Sequence, residues 1–145
     1  LMKPVVGYYR VASPYPLVDD RDLVFEASTR AEPLRGRLVM DFEKISHPKR
    51  PPNDEAVRME RLKGRWVLEP VALNRTRVTY EILSDPGGYL PTWVVNIASK
   101  RLPFENLMGL RMQVGKGGYD TMLESSRRVL QLLWPSMLGG GLTVP

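Results

Sequence analysis

The chain contains no cysteine. That removes disulfides, thiolate-held zinc and cysteine nucleophiles, and it leaves the redox compartment unreadable. Histidine is almost absent as well: His47 stands alone, so no histidine-rich metal site and no Cys–His pair can be assembled. It lies in a proline-rich stretch, where a lone histidine is ordinarily a solvated side chain rather than a catalyst. No apolar run approaches the roughly 20 residues that span a bilayer, and the opening LMKPVVGYYR lacks the basic-then-apolar layout of a secretory signal. The expectation is a soluble chain, with the cytoplasm as the default compartment. GKGG at residues 115–118 lacks the spacing and the preceding strand of a phosphate-binding loop and reads as a linker. No cofactor is expected.

What is present suffices for one compact domain, since 43% of the 145 residues are hydrophobic. The formal charge is +5 and the isoelectric point is near 9.7. The basic residues are scattered instead of forming the stripe a nucleic acid requires. A solvated basic surface is the expectation, and no nucleic-acid partner.

Strand patterns dominate up to Leu83 and helical spacing follows, which makes the class α+β with the sheet first. Residues 5–11 and 22–29 read as strands, separated by SPYPLVDDR, whose prolines bar a regular ladder. In the second strand Leu23, Phe25 and Ala27 share one face against Glu26, Ser28 and Arg30. Over residues 34–45, Leu38, Met40 and Phe42 face inward against Arg37, Asp41 and Glu43, with Val39 the one apolar residue turned out. SHPKRPPNDE, residues 46–55, holds three prolines and reads as an exposed loop. Residues 56–62, 65–71 and 76–83 supply three more strands, joined by turns at Lys63-Gly64 and around Asn74. In the last of them Val78, Tyr80 and Ile82 share a face.

After Gly88 a helix starts with Pro91 in its first turn, where a missing N–H is harmless. Trp93, Val94, Ile97, Ala98 and Leu102 follow at helical steps, and Pro103 is expected to kink or break the run. So broad an apolar stripe suits a helix lying across the concave side of a bent sheet. Periodicity does not say whether the space between is a filled core or a lined cavity.

Arg58 is the charged residue whose orientation matters most. Val57, Met59 and Arg61 alternate with Arg58, Glu60 and Leu62, and either row can face inward. Turned in, Arg58 would bind an anionic group such as a phosphate or carboxylate; turned out, it would pair with Glu60 or a neighbouring strand. Arg21 and Asp22 read as a structural pair opening their strand. Tyr80 offers either a ligand-facing hydroxyl or an ordinary core tyrosine. Trp93 is expected in the core first and at a membrane second.

Three stretches, in order, resemble the START family of lipid-transfer domains within the helix-grip superfamily. YYRVASPYPLVDDRDLVF resembles the family's strand, its Pro-x-Pro bend and the Arg-Asp opening of the next strand. SHPKRPPNDEAVRMERLKGRWVLEPV is similar to its lid loop and its Arg-bearing and Trp-bearing strands. TRVTYEILSDPGGYLPTWVVN resembles the last strand, the Asp-Pro-x-Gly turn and the helix start. The resemblance runs over residues 5–114.

It implies a helix-grip fold, a curved antiparallel sheet wrapped around a long C-terminal helix, enclosing a tunnel for one lipid or sterol. The expected lining is Phe25, Leu38, Met40 and Phe42, then Arg58, Val78, Tyr80 and Ile82 from the later strands, with Trp93, Val94 and Ile97 from the helix. Residues 46–55 and 85–90 would form the movable rim, making transient contact with a membrane surface. Ala27 stands where some sterol-binding members carry a cavity arginine, so no buried charge is expected there. An enzyme of the same superfamily acting on a polyketide, or an interaction module without a ligand, are the alternatives. The family's N-terminal helix and first strands are not matched, and a trimmed longer protein is the expected explanation. The START-like unit is placed at residues 1–114 and an amphipathic helix with a flexible tail at 115–145, where Met122, Leu123, Val129, Leu130 and Leu133 repeat helically before Pro135. Docking on the domain is its first expected role, and a membrane or homodimer contact its second.

Overall fold

Period-two alternation over the first eighty-odd residues folds into a single sheet, antiparallel but for one short strand, seen in a computed structural model that describes residues 3–13, 15–72 and 75–118. The strands are β1 (Val5–Val11), β2 (Arg21–Glu32), β3 (Arg37–Ile45), the two-residue β4 (Val57–Arg58), β5 (Arg61–Ala72) and β6 (Arg75–Asp85). Their order across the sheet is β1-β2-β3-β5-β6. β4 lies parallel to the start of β2, with Arg21 opposite Val57 and Asp22 opposite Arg58. It occupies the edge that β3 leaves free below Val24, the last β2 residue β3 reaches. The helix α1 (Thr92–Gly115) follows. The amphipathic segment expected beyond it lies outside the described residues.

The register fixes which side chains share a face. Leu38, Leu68 and Val78 stand in one row; Met40, Trp66 and Tyr80 in the next; Phe42, Gly64 and Ile82 in a third. These rows carry α1, because Asn106 of the helix donates to the Tyr80 hydroxyl at 3.3 Å. The inward rows read from alternation are therefore the rows observed. Val39 is indeed on the other face, yet it is 0% exposed. Around it Arg37 donates to Glu32 at 2.7 Å, Arg65 donates to Asp41 at 2.6 Å, and Arg30 pairs with both carboxylates. Such a lattice buries a valine because the aliphatic stems of arginines shield apolar surface while their heads stay wet.

Three expectations fail for identifiable reasons. Lys63-Gly64 is not a turn, since β5 runs through it. A Cβ on Gly64 would stand 2.2 Å from the Phe42 ring, so the glycine makes room for an aromatic lying across from the next strand. Of the kink or break expected at Pro103, the break does not occur, since α1 continues through it to Gly115. Pro91 is the residue capping the helix rather than one in its first turn, with φ −57° and ψ 137°. The reversal between β5 and β6 that was expected around Asn74 falls on residues 73–74, outside those described, although Ala72 and Arg75 pair across it.

Candidate functional site

The first turns of α1 and the sheet do not close on each other. Between them lies a cavity of about 400 Å³, walled by Val11, Tyr15 and Val18 on one side and by Val94, Ala98 and Leu102 of the helix on the other. Pro86 and Leu90 of the turn after β6 complete its lining. That turn is built on two successive left-handed glycines, Gly87 and Gly88, both at φ 64°. The Asp85 carboxylate receives the Gly87 N–H at 3.0 Å. A side chain at Gly88 would meet Val57 and the Arg21 guanidinium, so the rim requires glycine for both conformation and space.

Of the expected lining residues, Val94 and Ile97 border this cavity. Phe25, Leu38, Met40, Phe42, Val78, Tyr80 and Ile82 lie on the same face of the sheet and continue its apolar surface away from the cavity. Phe25 sits against Gly7 of β1. Met40 and Ile82 remain 37% and 36% exposed, so this floor is not filled by side chains. Tyr80 anchors it, with Trp66 at 4.1 Å and Phe42 at 6.1 Å between ring centroids. Burial pushes the Tyr80 phenol above its usual value, partly offset by the Asn106 hydrogen bond. Trp93 is not in the core: it is 53% exposed and stands edge-on to Tyr15 at 5.1 Å, beside the cavity mouth.

Arg58 does not enter the cavity. Its guanidinium grips Asp22 at 2.6 and 3.0 Å and donates to the carbonyls of Arg50 and Pro51. The hydrogen bond from Arg58 holds the Asp22 carboxyl below the usual carboxylate range despite burial. This contact also places residues 46–55. Arg10 donates to the Glu55 carbonyl at 3.1 Å, and Arg50 stacks 4.8 Å from the Tyr8 ring. Tyr8 and Arg10 pair in register with Val24 and Asp22, on the face opposite α1. The loop expected at the rim is therefore fastened to the back of the sheet, and none of residues 46–55 borders the cavity.

Arg21 and Asp22 separate in the same way. Successive side chains on a strand point to opposite faces, so Asp22 meets Arg58 behind the sheet while Arg21 borders the cavity in front. Sequence reasoning read them as a structural pair and missed Arg21 as a wall residue. The signal was present, because residue 21 is in phase with Leu23, Phe25 and Ala27. Trp66 was also missed as part of the floor, although its strand alternates Trp66 and Leu68 against Arg65 and Glu69. No cluster of histidine and carboxylate side chains able to hold a metal ion occurs among the described residues.

Residues 4–114 match the START domain family. The chain belongs to that family. This START domain is 31% identical over 109 residues to an uncharacterized protein of Pseudomonas aeruginosa, covering 75% of this chain and 52% of that protein. It is 31% identical over 98 residues to the phosphatidylcholine transfer protein of Rattus norvegicus, covering 66% of this chain and 45% of that protein. The chain thus spans about half the length of the curated relatives it matches. The crystal structure of human STARD10 superposes with a TM-score of 0.69 at 24% identity, over 98% of this chain and 55% of that one. A STAR-related lipid transfer protein fragment from Xanthomonas axonopodis gives 0.66 at 29% identity, over 78% and 62%. The α+β architecture expected from the sequence, an antiparallel sheet with a long C-terminal helix, is the START-like fold.

Proposed function

We propose that this START domain is a non-enzymatic carrier that binds one amphipathic lipid or sterol between α1 and the inner face of the sheet. The observation that carries the reading is the cavity of about 400 Å³, on the same face of the sheet as the part-exposed Met40 and Ile82. It lies at the small end of the roughly 300–1,000 Å³ typical of ligand pockets. Each apolar Å² that leaves water there contributes about 25 cal/mol, so a fatty chain or ring system is the ligand part the space suits. The phosphatidylcholine transfer proteins among the relatives support a phospholipid as the first candidate. Residues 85–90 form the gate, and the exposed Trp93 and Tyr89 beside it meet the membrane surface during exchange. No described helix is long and apolar enough to cross a membrane.

Native mass spectrometry of the purified protein tests the reading. A stoichiometric adduct with the mass of a lipid or sterol is expected. A chain that flies bare, and stays bare after incubation with phosphatidylcholine vesicles, would remove the proposal.

A further inference from the structure

Arg21 is 9% exposed and borders the cavity. One terminal nitrogen donates to the Asp19 carbonyl, the other to the Gly87 carbonyl at 3.3 Å. Its Nε is buried and has no hydrogen-bond partner. The carboxylate next to it in sequence, Asp22, is spent on Arg58 behind the sheet. Arg101, the other cation in the cavity wall, is already paired with Glu105 at 2.5 Å. Asp19 also belongs to the wall, but no carboxylate is hydrogen-bonded to Arg21 among the described residues. A buried guanidinium cannot shed its proton, and an unpaired buried charge is costly.

Building on the carrier reading, we propose that the bound amphiphile supplies the missing counter-charge: an acidic oxygen of a carboxylate or phosphate pairs with the Arg21 guanidinium where it borders the cavity. Its apolar chain then runs along α1 past Val94, Ala98 and Leu102. An oxyanion is favoured over a hydroxyl because charge-assisted hydrogen bonds are about twice as strong as neutral ones. The backbone carbonyls of Asp19 and Gly87 fix the plane of the guanidinium before the ligand arrives.

Isothermal titration of the 145-residue chain with dodecanoate and with dodecanol tests this, since the two share a chain and differ at the head. Dodecanoate is expected to bind about tenfold tighter or better. The preference should vanish in Arg21→Gln and persist in Arg21→Lys. Equal affinities in the unaltered protein would overturn the role of Arg21 and leave the carrier reading standing. That comparison needs no variant, so poor folding of Arg21→Gln does not remove the test. Failure of both amphiphiles to bind would overturn the carrier reading and the role of Arg21 with it. Inorganic phosphate is the third titrant. Binding as tight as that of dodecanoate would assign the oxyanion to a free anion and overturn the amphiphile as its source.

Discussion

Asp22 and Arg58 meet across the back of the sheet through two hydrogen bonds, at 2.6 and 3.0 Å, with Asp22 only 1% exposed. They are joined where β4 runs beside the start of β2. The same arginine holds the carbonyls of Arg50 and Pro51, so one side chain locks a strand, a loop and a buried carboxylate together. Removing one partner of a buried pair costs about 3–5 kcal/mol because the other is left unpaired. Arg58→Met should therefore lower unfolding free energy by about 3 kcal/mol in urea titrations. Ligand affinity, measured where the variant is still folded, should not change. A selective loss of binding without loss of stability would place Arg58 back at the ligand.

The acid sensitivity of the fold has the same origin. Asp22 is held below its ordinary value mainly by the Arg58 hydrogen bond, Asp20 by the Ser13 N–H and Arg10, and Glu32 by Arg37. For groups depressed in the folded state, the unfolded chain binds more protons as pH drops through the ordinary carboxylate range. Their stabilisation is complete above about pH 5 and is lost below about pH 4 as the folded values are crossed. Stability measured against pH should be flat near neutrality and fall on the acid side. Asp22→Asn should make that fall shallower, and an unchanged slope would contradict the assignment.

Gly64 makes a prediction of the opposite sort, one that depends on an absent side chain. Its Cβ would lie 2.2 Å from the Phe42 ring and 2.6 Å from the Glu81 carbonyl oxygen. Gly64→Ala should destabilise by about 1–3 kcal/mol, the usual range for overpacking. Adding Phe42→Leu should recover part of the loss, because the ring can be shortened while the carbonyl cannot move. Thermal denaturation of the two single variants and the double variant measures that coupling.

Alternation was a sound guide wherever a strand has one wet and one apolar face. The rows through Leu38, Met40 and Phe42 and through Val78, Tyr80 and Ile82 were legible for that reason. Gly64 misled because a glycine that admits an aromatic from the neighbouring strand looks, locally, the same as one that turns the chain. The direction of Arg58 was not legible, since it depends on β4 docking against β2 from a distance of 36 residues in sequence. Residues 46–55 were recognisable as a loop, but the face they cover follows from Arg10, Arg50 and Arg58 finding partners there. Arg21 was hidden by chemistry rather than geometry: a charge continuing an apolar row is easily read as the edge of the strand.

Trp93 separates gating from binding. It stands half exposed beside the mouth, edge-on to Tyr15, and is not part of the cavity wall. Indole rings favour the boundary between water and lipid headgroups. Trp93→Ala is expected to slow exchange of a fluorescent phospholipid between phosphatidylcholine vesicles several-fold while leaving equilibrium affinity in solution unaltered. Equal exchange rates would show that the mouth does not dock through this ring.

Ala98 tests whether the space itself matters. It faces the cavity from the middle of the helical wall, between Val94 and Leu102. A larger side chain there enters open volume instead of displacing packed neighbours, so Ala98→Trp should cost about 1 kcal/mol or less, below the usual penalty for overpacking. The same indole would occupy the volume that an acyl chain or ring system needs. Affinity for dodecanol should fall at least about tenfold, with thermal stability nearly constant. Because dodecanol carries no acidic head, this loss is independent of Arg21 and reports on the apolar cavity alone. An unimpaired Ala98→Trp variant would mean that ligand binds elsewhere on the sheet, for example over the open floor of Met40 and Ile82.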